Sequence, residues 1–202
     1  MLTRRLLIVT FLLLAIASTS KGHSERLGPN YFVAGVPTER FEYFAARQKH
    51  TNWCWAATVQ MVLNFHGLYV SQEQVVDRIF RQQVNEAATS NQILEALHGW
   101  APDYRGRFSA IASTPYIFSD QELIHDLIHC WPLIVGLKNG EGSGHTYVLT
   151  AVYYTFDKYH RPVIDKVVLR DPWPSNQSKR EWSWNTVQSN LTFAARVKVF
   201  RY

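Results

Sequence analysis

Cysteine is scarce in this 202-residue chain, occurring only at positions 54 and 130, and two cannot staple a small disulfide-dense fold. Glycine, with 10 residues, and proline, with 8, are too few for a collagen-like or low-complexity chain. Charge is also low, at 18% of residues against 47% hydrophobic and 14% aromatic, which excludes a chain kept disordered by charge and lack of a core. The formal net charge of +5 is scattered along the sequence. No basic stripe exists to track a phosphate backbone, so nucleic-acid binding is not expected. No apolar run approaches the roughly 20 residues needed to cross a bilayer. What is left is the composition of a globular protein, with one domain as the default for this length.

The N-terminus has its own pattern. Arg4 and Arg5 precede a 12-residue apolar run from Leu6 to Ala17, which ends in Ala15-Ile16-Ala17. A basic start, a short apolar stretch and small residues at the end form a secretory signal, predicted as residues 1–17 with cleavage after Ala17. A secreted or periplasmic protein with no membrane anchor after cleavage is therefore expected. Residues 18–30 are polar and punctuated by Gly22, Gly28 and Pro29, as in a flexible mature N-terminus. The folded domain is expected over residues 31–202.

Within it, Trp55, Thr58, Val59, Val62 and Leu63 recur at helical spacing from Cys54 to Phe65, and Gly67 provides a stop. Ser71 with Gln74 forms a capping box that opens a second helix through Val75, Val76, Ile79 and Phe80. A short third helix is expected from Asn91 to His98. Ser119 with Glu122 starts a fourth, striped by Leu123, Ile124, Leu127 and Ile128 and ended by Pro132. Beyond it lie β-rich runs at Leu133–Leu137, Tyr147–Phe156, Val163–Leu169 and Phe193–Phe200. Helices first and strands second predict an α+β domain, a helical half packed on an antiparallel sheet half.

Three places carry chemistry. Cys54 falls at the start of the first helix, where unpaired N–H groups and the positive end of the helix dipole favour a thiolate. His145 opens an apolar strand after the small residues Gly142, Ser143 and Gly144, and Asp171 stands at the end of another strand, before Pro172. A thiolate, an imidazole to shuttle protons and a carboxylate to orient the imidazole are what acyl transfer through cysteine requires. A rival pair, His125 and His129, has the i, i+4 spacing of a zinc-binding helix. The apolar stripe of that helix turns both toward solvent and argues against the metal. Cys130 reads as a structural thiol.

Together these motifs resemble the papain-like cysteine peptidases. In that superfamily a glutamine lies six residues before the nucleophile, as Gln48 does before Cys54, and the Cys54-Trp55-Ala56 order also matches. In closer detail the chain is similar to a compact bacterial branch, the double-glycine leader peptidases and related secreted effector peptidases. There a Gly-His strand is followed by Asp-Pro, here Gly144-His145 and Asp171-Pro172. The likeness covers residues 48–65 and 132–173. It implies Cys54 as nucleophile, His145 as general acid and base, Asp171 as the orienting group and Gln48 as oxyanion donor together with the Cys54 amide. It also implies that Trp173 shields the Asp171 hydrogen bond. The helical half would carry the nucleophile, the substrate would be a polypeptide, and no metal or organic cofactor is implied. Leader peptidases are usually fused to a transporter and nothing here is expected to span a membrane, so a Gly-Gly leader substrate does not carry over. Two other uses of the same constellation stay open: acyl transfer to an amine, as in transglutaminases, and a catalytically silent binding module.

Overall fold

The computed structural model describes residues 22–100, 109–115, 119–140 and 143–201. The predicted signal, residues 1–17, and its cleavage site lie outside the described residues. The described chain enters as a hairpin of β1 (His23–Gly28) and β2 (Tyr31–Gly35), followed by the short helix α1 (Thr38–Glu42). Helices α2 (Cys54–Phe65), α3 (Gln72–Phe80) and α4 (Ser90–Leu97) come next. Strand β3 (Ser109–Pro115) precedes α5 (Asp120–Ile128). Strands β4 (Leu133–Asn139), β5 (Ser143–Phe156), β6 (Pro162–Arg170) and β7 (Lys179–Ser183) then lead to α6 (Trp184–Asn190) and β8 (Leu191–Arg201).

Local chemistry sets most helix starts. Ser71 and Ser119 accept from the N–H groups of Gln74 and Glu122, whose side chains return a bond to the cap residue, as the sequence predicts for α3 and α5. Thr89 and Gln92 form a third capping box at α4, which moves that helix one residue ahead of the expected Asn91. Each such cap is worth about 1 kcal/mol. The expectation of a flexible stretch over residues 18–30 is corrected for its second half, since His23 to Gly28 pair with β2 from Gly35 down to Tyr31. Strand β1 is an edge strand exposed on both faces, so it carries no alternation of apolar residues from which it could be read.

All strand pairings are antiparallel, in the order β1-β2-β5-β4-β8-β3, with β6 on β5 and β7 on β6. Strand β5 is the hub. Along one edge its first half takes β4 and its second half takes β2, while β6 runs along the other. At the crossing of β2 onto β5 a Cβ on Gly35 would fall 2.4 Å from the Ala151 Cβ, so only glycine allows that approach. Both faces of the sheet are apolar. Ile134, Val148, Ala195 and Val197 pack with α2, α3 and α4, whereas Leu133, Val135, Leu137, Leu149 and Val167 pack with α5 and α6. The fold is α+β as expected, but α5 lies across the sheet from the other long helices. The reason is in β4, whose consecutive residues Leu133 to Val135 are all apolar and therefore require cover on both sides.

Candidate active site

Helix α2 runs through the core. Trp55, Ala56, Ala57, Val59, Met61, Val62 and Leu63 are buried, each large apolar side chain contributing about 1.5–3 kcal/mol of burial. Its start is held chemically open. Trp53 at the N-cap position makes no side-chain cap, and no acidic residue lies in the first turn, so the N–H groups and the positive dipole end remain for Cys54. The preceding loop is pinned to the end of β6. The Gln48 N–H donates to the Pro172 carbonyl at 2.8 Å, and Arg47 Nη1 donates to the carbonyls of Asp171 at 3.1 Å and Trp173 at 2.8 Å. These clips fix the cysteine against the sheet.

His145 stands near the start of β5 and Asp171 just past β6, on neighbouring strands. His145 Nε2 lies 2.9 Å from Asp171 Oδ1, which leaves Nδ1 for the hydrogen bond with the Cys54 thiol. Tyr147 stacks edge-on against the His145 ring at 4.7 Å and Trp173 at 6.2 Å, so the pair sits between aromatic walls. Asp171 is 1% exposed and accepts three further bonds: from the Trp173 N–H at 2.9 Å, from Asn176 Nδ2 at 2.8 Å and from Arg180 Nη1 at 2.9 Å.

The electrostatics follow from this packing. Burial works to raise the Cys54 thiol, but hydrogen bonds from His145 and Thr146 and the imidazolium charge outweigh it and lower the thiol below its ordinary value. Burial likewise works against the charged form of His145, and the bonds to Asp171 and Cys54 reverse it, pushing the imidazole up to about 9. Asp171 is held well below the carboxylate range: burial opposes ionisation, and the donors His145, Trp173, Asn176 and Arg180 overcome it. Thiolate, imidazolium and carboxylate are thus all favoured in their charged forms. Cys130 shows the contrast. It is 4% exposed, and burial pushes its thiol up. Both thiols are free.

Gln48 lies in the loop before Cys54 and is 5% exposed. Its two amide hydrogens go to the carbonyls of His50 at 2.9 Å and Thr51 at 2.8 Å, and its Oε1 is buried without a partner among the described residues. The resemblance to papain-like peptidases implies an amide that meets an oxyanion, whereas the structure gives that amide to the carbonyls of its own loop. A cavity of about 140 Å³ opens beside Cys54 and His145, walled by Ala87, Ala88, Ile93, Thr146 and Phe193. Another of about 300 Å³ lies between Gln48, Lys49, His50 and Trp173. His125 on α5 and His129 at its C-cap are exposed as the stripe predicts, their rings tilted against each other at 4.1 Å with Trp131 beyond, while the buried residues of α5 are Leu123, Ile124, Leu127 and Asp126.

The structure joins Cys54, His145 and Asp171 in one contact series and places Gln48 in the loop bonded to Pro172, and four residues that the sequence reading did not name support them. Thr146, next to His145, donates to the thiolate. Arg47, Asn176 and Arg180 hold the Asp171 segment. Adjacency to His145 marks Thr146 for attention, but no local pattern distinguishes Arg180 from the other arginines. Asn176 also begins an Asn-x-Ser sequence that would be a glycan acceptor in a eukaryotic secretory route, and its Nδ2 is the atom given to Asp171.

A cysteine at a helix start, facing a histidine and an aspartate on an antiparallel sheet, is the arrangement of the papain-like cysteine peptidases. The family described as "Peptidase_C39 like family" matches residues 40–198, and the chain belongs to it and is a cysteine peptidase. No curated protein sequence matches the chain. Among solved structures, the peptidase domain of Streptococcus ComA, a bi-functional ABC transporter involved in a quorum sensing pathway, is 20% identical. Its TM-score is 0.50 over 77% of this chain and 95% of that one, a likeness of fold. A double glycine motif protease from an AMS/PCAT transporter, in complex with the leader peptide, is 15% identical with a TM-score of 0.48, over 78% of this chain and 89% of that one.

Proposed function

We propose that the chain is a secreted or periplasmic thiol peptidase that hydrolyses polypeptides through Cys54, His145 and Asp171. The observation that carries this reading is the unbroken contact series from the Cys54 thiol to His145 and, at 2.9 Å, on to Asp171, set at the open N-terminus of α2. The Cys54 thiolate attacks the peptide carbonyl. The oxyanion is held by the Cys54 N–H and by Gln48 Nε2, which shares one of its two loop bonds as negative charge develops. His145, carrying protons on both nitrogens, gives one to the leaving amine and then, as a neutral base, takes one from the water that cleaves the thioester. Asp171 keeps the ring oriented throughout. Among the described residues no helix is long and apolar enough to cross a membrane. Secretion rests on the N-terminal pattern of residues 1–17. Membership of a peptidase family supports hydrolysis over acyl transfer to an amine.

The test is the pH dependence of alkylation at Cys54, followed by peptide mapping, alongside turnover of an internally quenched peptide library. An ordinary thiol, with pKa about 8.5, loses close to tenfold in thiolate for each pH unit below that value and is about 0.1% ionised at pH 5.5. Cys54, whose thiol is lowered by His145 and Thr146, should instead keep reacting with iodoacetamide below pH 8 with a fall clearly shallower than tenfold per unit. His145→Ala should restore the tenfold-per-unit fall, because the cation is gone, while Asp171→Asn should largely keep the shallower one. A tenfold-per-unit fall in the wild type, with no hydrolysis, would leave the silent binding module as the reading.

Gln48→Ala is expected to lower turnover about 10²-fold with a smaller change in KM, since one oxyanion donor contributes on the order of 3 kcal/mol to the transition state. Unchanged turnover would restrict Gln48 to bracing the carbonyls of His50 and Thr51.

A further inference from the structure

We propose that Arg180 is a positioning residue of the triad: from β7 its guanidinium engages the Asp171 oxygen that His145 does not use, and by sharing that carboxylate's charge it keeps the imidazolium able to release its proton. The proposal rests on the reading of Cys54, His145 and Asp171 as the reacting groups and their support.

Asp171 divides its partners by oxygen. Oδ1 accepts from His145 Nε2 and the Trp173 N–H, both at 2.9 Å, and Oδ2 accepts from Asn176 Nδ2 at 2.8 Å and Arg180 Nη1 at 2.9 Å. Asn176 already gives Oδ2 one neutral hydrogen bond, and Arg180 fills its second acceptor site. What Arg180 adds is a full positive charge, permanent because guanidinium does not deprotonate. It stands in register opposite Leu169, with its guanidinium 5.0 Å over the Trp182 ring, so the side chain is fixed by packing as well as by the ion pair. The site is then a row of alternating charge: Cys54 thiolate, His145 imidazolium, Asp171 carboxylate, Arg180 guanidinium. A carboxylate facing only His145 would bind the imidazolium more tightly and make it a poorer acid toward the leaving amine. The charged and titratable groups around the ring are Cys54 from α2, Asp171 from the end of β6, Arg180 from β7, Tyr147 on β5 itself and Arg47, which reaches the segment through its carbonyls.

The sign separates this role from a merely structural one. If Arg180 only held the carboxylate in place, losing it would loosen the bond to His145, and the imidazole would titrate lower. If it shares the charge, losing it leaves the carboxylate's field on the imidazolium unopposed, and the imidazole titrates higher. NMR titration of the His145 ring in the full chain, in a Cys54→Ala background, reads this without any requirement for hydrolysis. Arg180→Met, which keeps the stem over Trp182, should raise the His145 titration by about half a pH unit or more, the size of a screened ion-pair effect. Arg180→Lys should return it most of the way, and in an Asp171→Asn background Arg180→Met should move it little. With Cys54 restored, Arg180→Met should lower kcat at pH 7 and displace the pH profile of kcat to higher pH, with KM little changed. A His145 titration that falls or stays put in Arg180→Met, or a rise that persists fully in Asp171→Asn, would overturn the proposal. Absence of hydrolysis by the wild type would count instead against the peptidase reading, leaving the titration to be judged separately.

Discussion

Cys54→Ala is expected to abolish peptide hydrolysis, a loss of at least about 10⁴-fold in kcat, because it removes the nucleophile and Cys130, the other thiol, is buried with its pKa pushed up. The fold should survive. Cys54 is only half-buried at the first position of α2, alanine is the best helix former, and the side chains that anchor the helix begin at Trp55. Circular dichroism and thermal unfolding would therefore match the wild type closely. The substitution also removes one of the two groups that push His145 up to about 9, so the imidazole should titrate lower in the variant while staying paired to Asp171. Hydrolysis by Cys54→Ala at the wild-type rate would end the mechanism proposed for this thiol.

Asp171→Ala should damage both activity and stability. It removes the group that orients the imidazole and strands four donors, of which the Arg180 side chain, 34% exposed, the Trp173 N–H and Asn176 lie in partly exposed surroundings and can rehydrate, while His145 is more enclosed. A cost of about 2–3 kcal/mol is expected after allowing for that rehydration, which for a chain of this size lowers Tm by roughly 5–10 °C. Its pH dependence has a definite sign. The folded Asp171 carboxyl is depressed, so its contribution is complete above the unfolded value of about 3.9 and is lost only as pH falls toward the folded one. The folded His145 is raised to about 9, so the ion-pair contribution is complete below the unfolded value of about 6.5 and fades as pH rises through 9. The stability gap between wild type and variant should thus be widest between about pH 4 and 6.5 and narrow on both sides. Asp171→Asn keeps an acceptor for the imidazole and should lie between the two in stability and activity. A gap that is flat from pH 4 to 9 would show that Asp171 acts through packing alone.

The limits of legibility follow the range of the interactions. Helix α2 could be read to its first residue, because Cys54 to Phe65 repeats an apolar face and Gly67 ends it. The capping boxes at Ser71 and Ser119 are signals closed within four residues. Strands β4, β5, β6 and β8 were readable from apolar runs, whereas β2 and β3 were not, nor were β1 and β7. Strands β1 and β7 are short and carry no buried hydrophobic position, with burial patterns that are exposed or nearly so throughout. The placement of α5 was equally illegible, since a helix stripe records that one face is buried and not which side of a sheet covers it.

In the site the division is the same. Sequence by itself determined the kinds of groups and their order along the chain: Gln48 six residues before Cys54 at a helix start, Gly144-His145 opening a strand, Asp171-Pro172 closing one. Spacing of this sort is local, and local rules of helix start and strand end dictate it. Only the tertiary structure decided which atom meets which. It gave Asp171 Oδ2 to Arg180 and Asn176, directed the Gln48 amide to the carbonyls of His50 and Thr51, and tied the Cys54 loop to the end of β6 through Arg47. The contacts that join the Cys54 loop to the Asp171 segment, or His145 to Asp171, span tens of residues to more than a hundred and depend on the register of β5 against β6 and β6 against β7. A change of one residue in either register would turn the same side chains to the opposite face of the sheet.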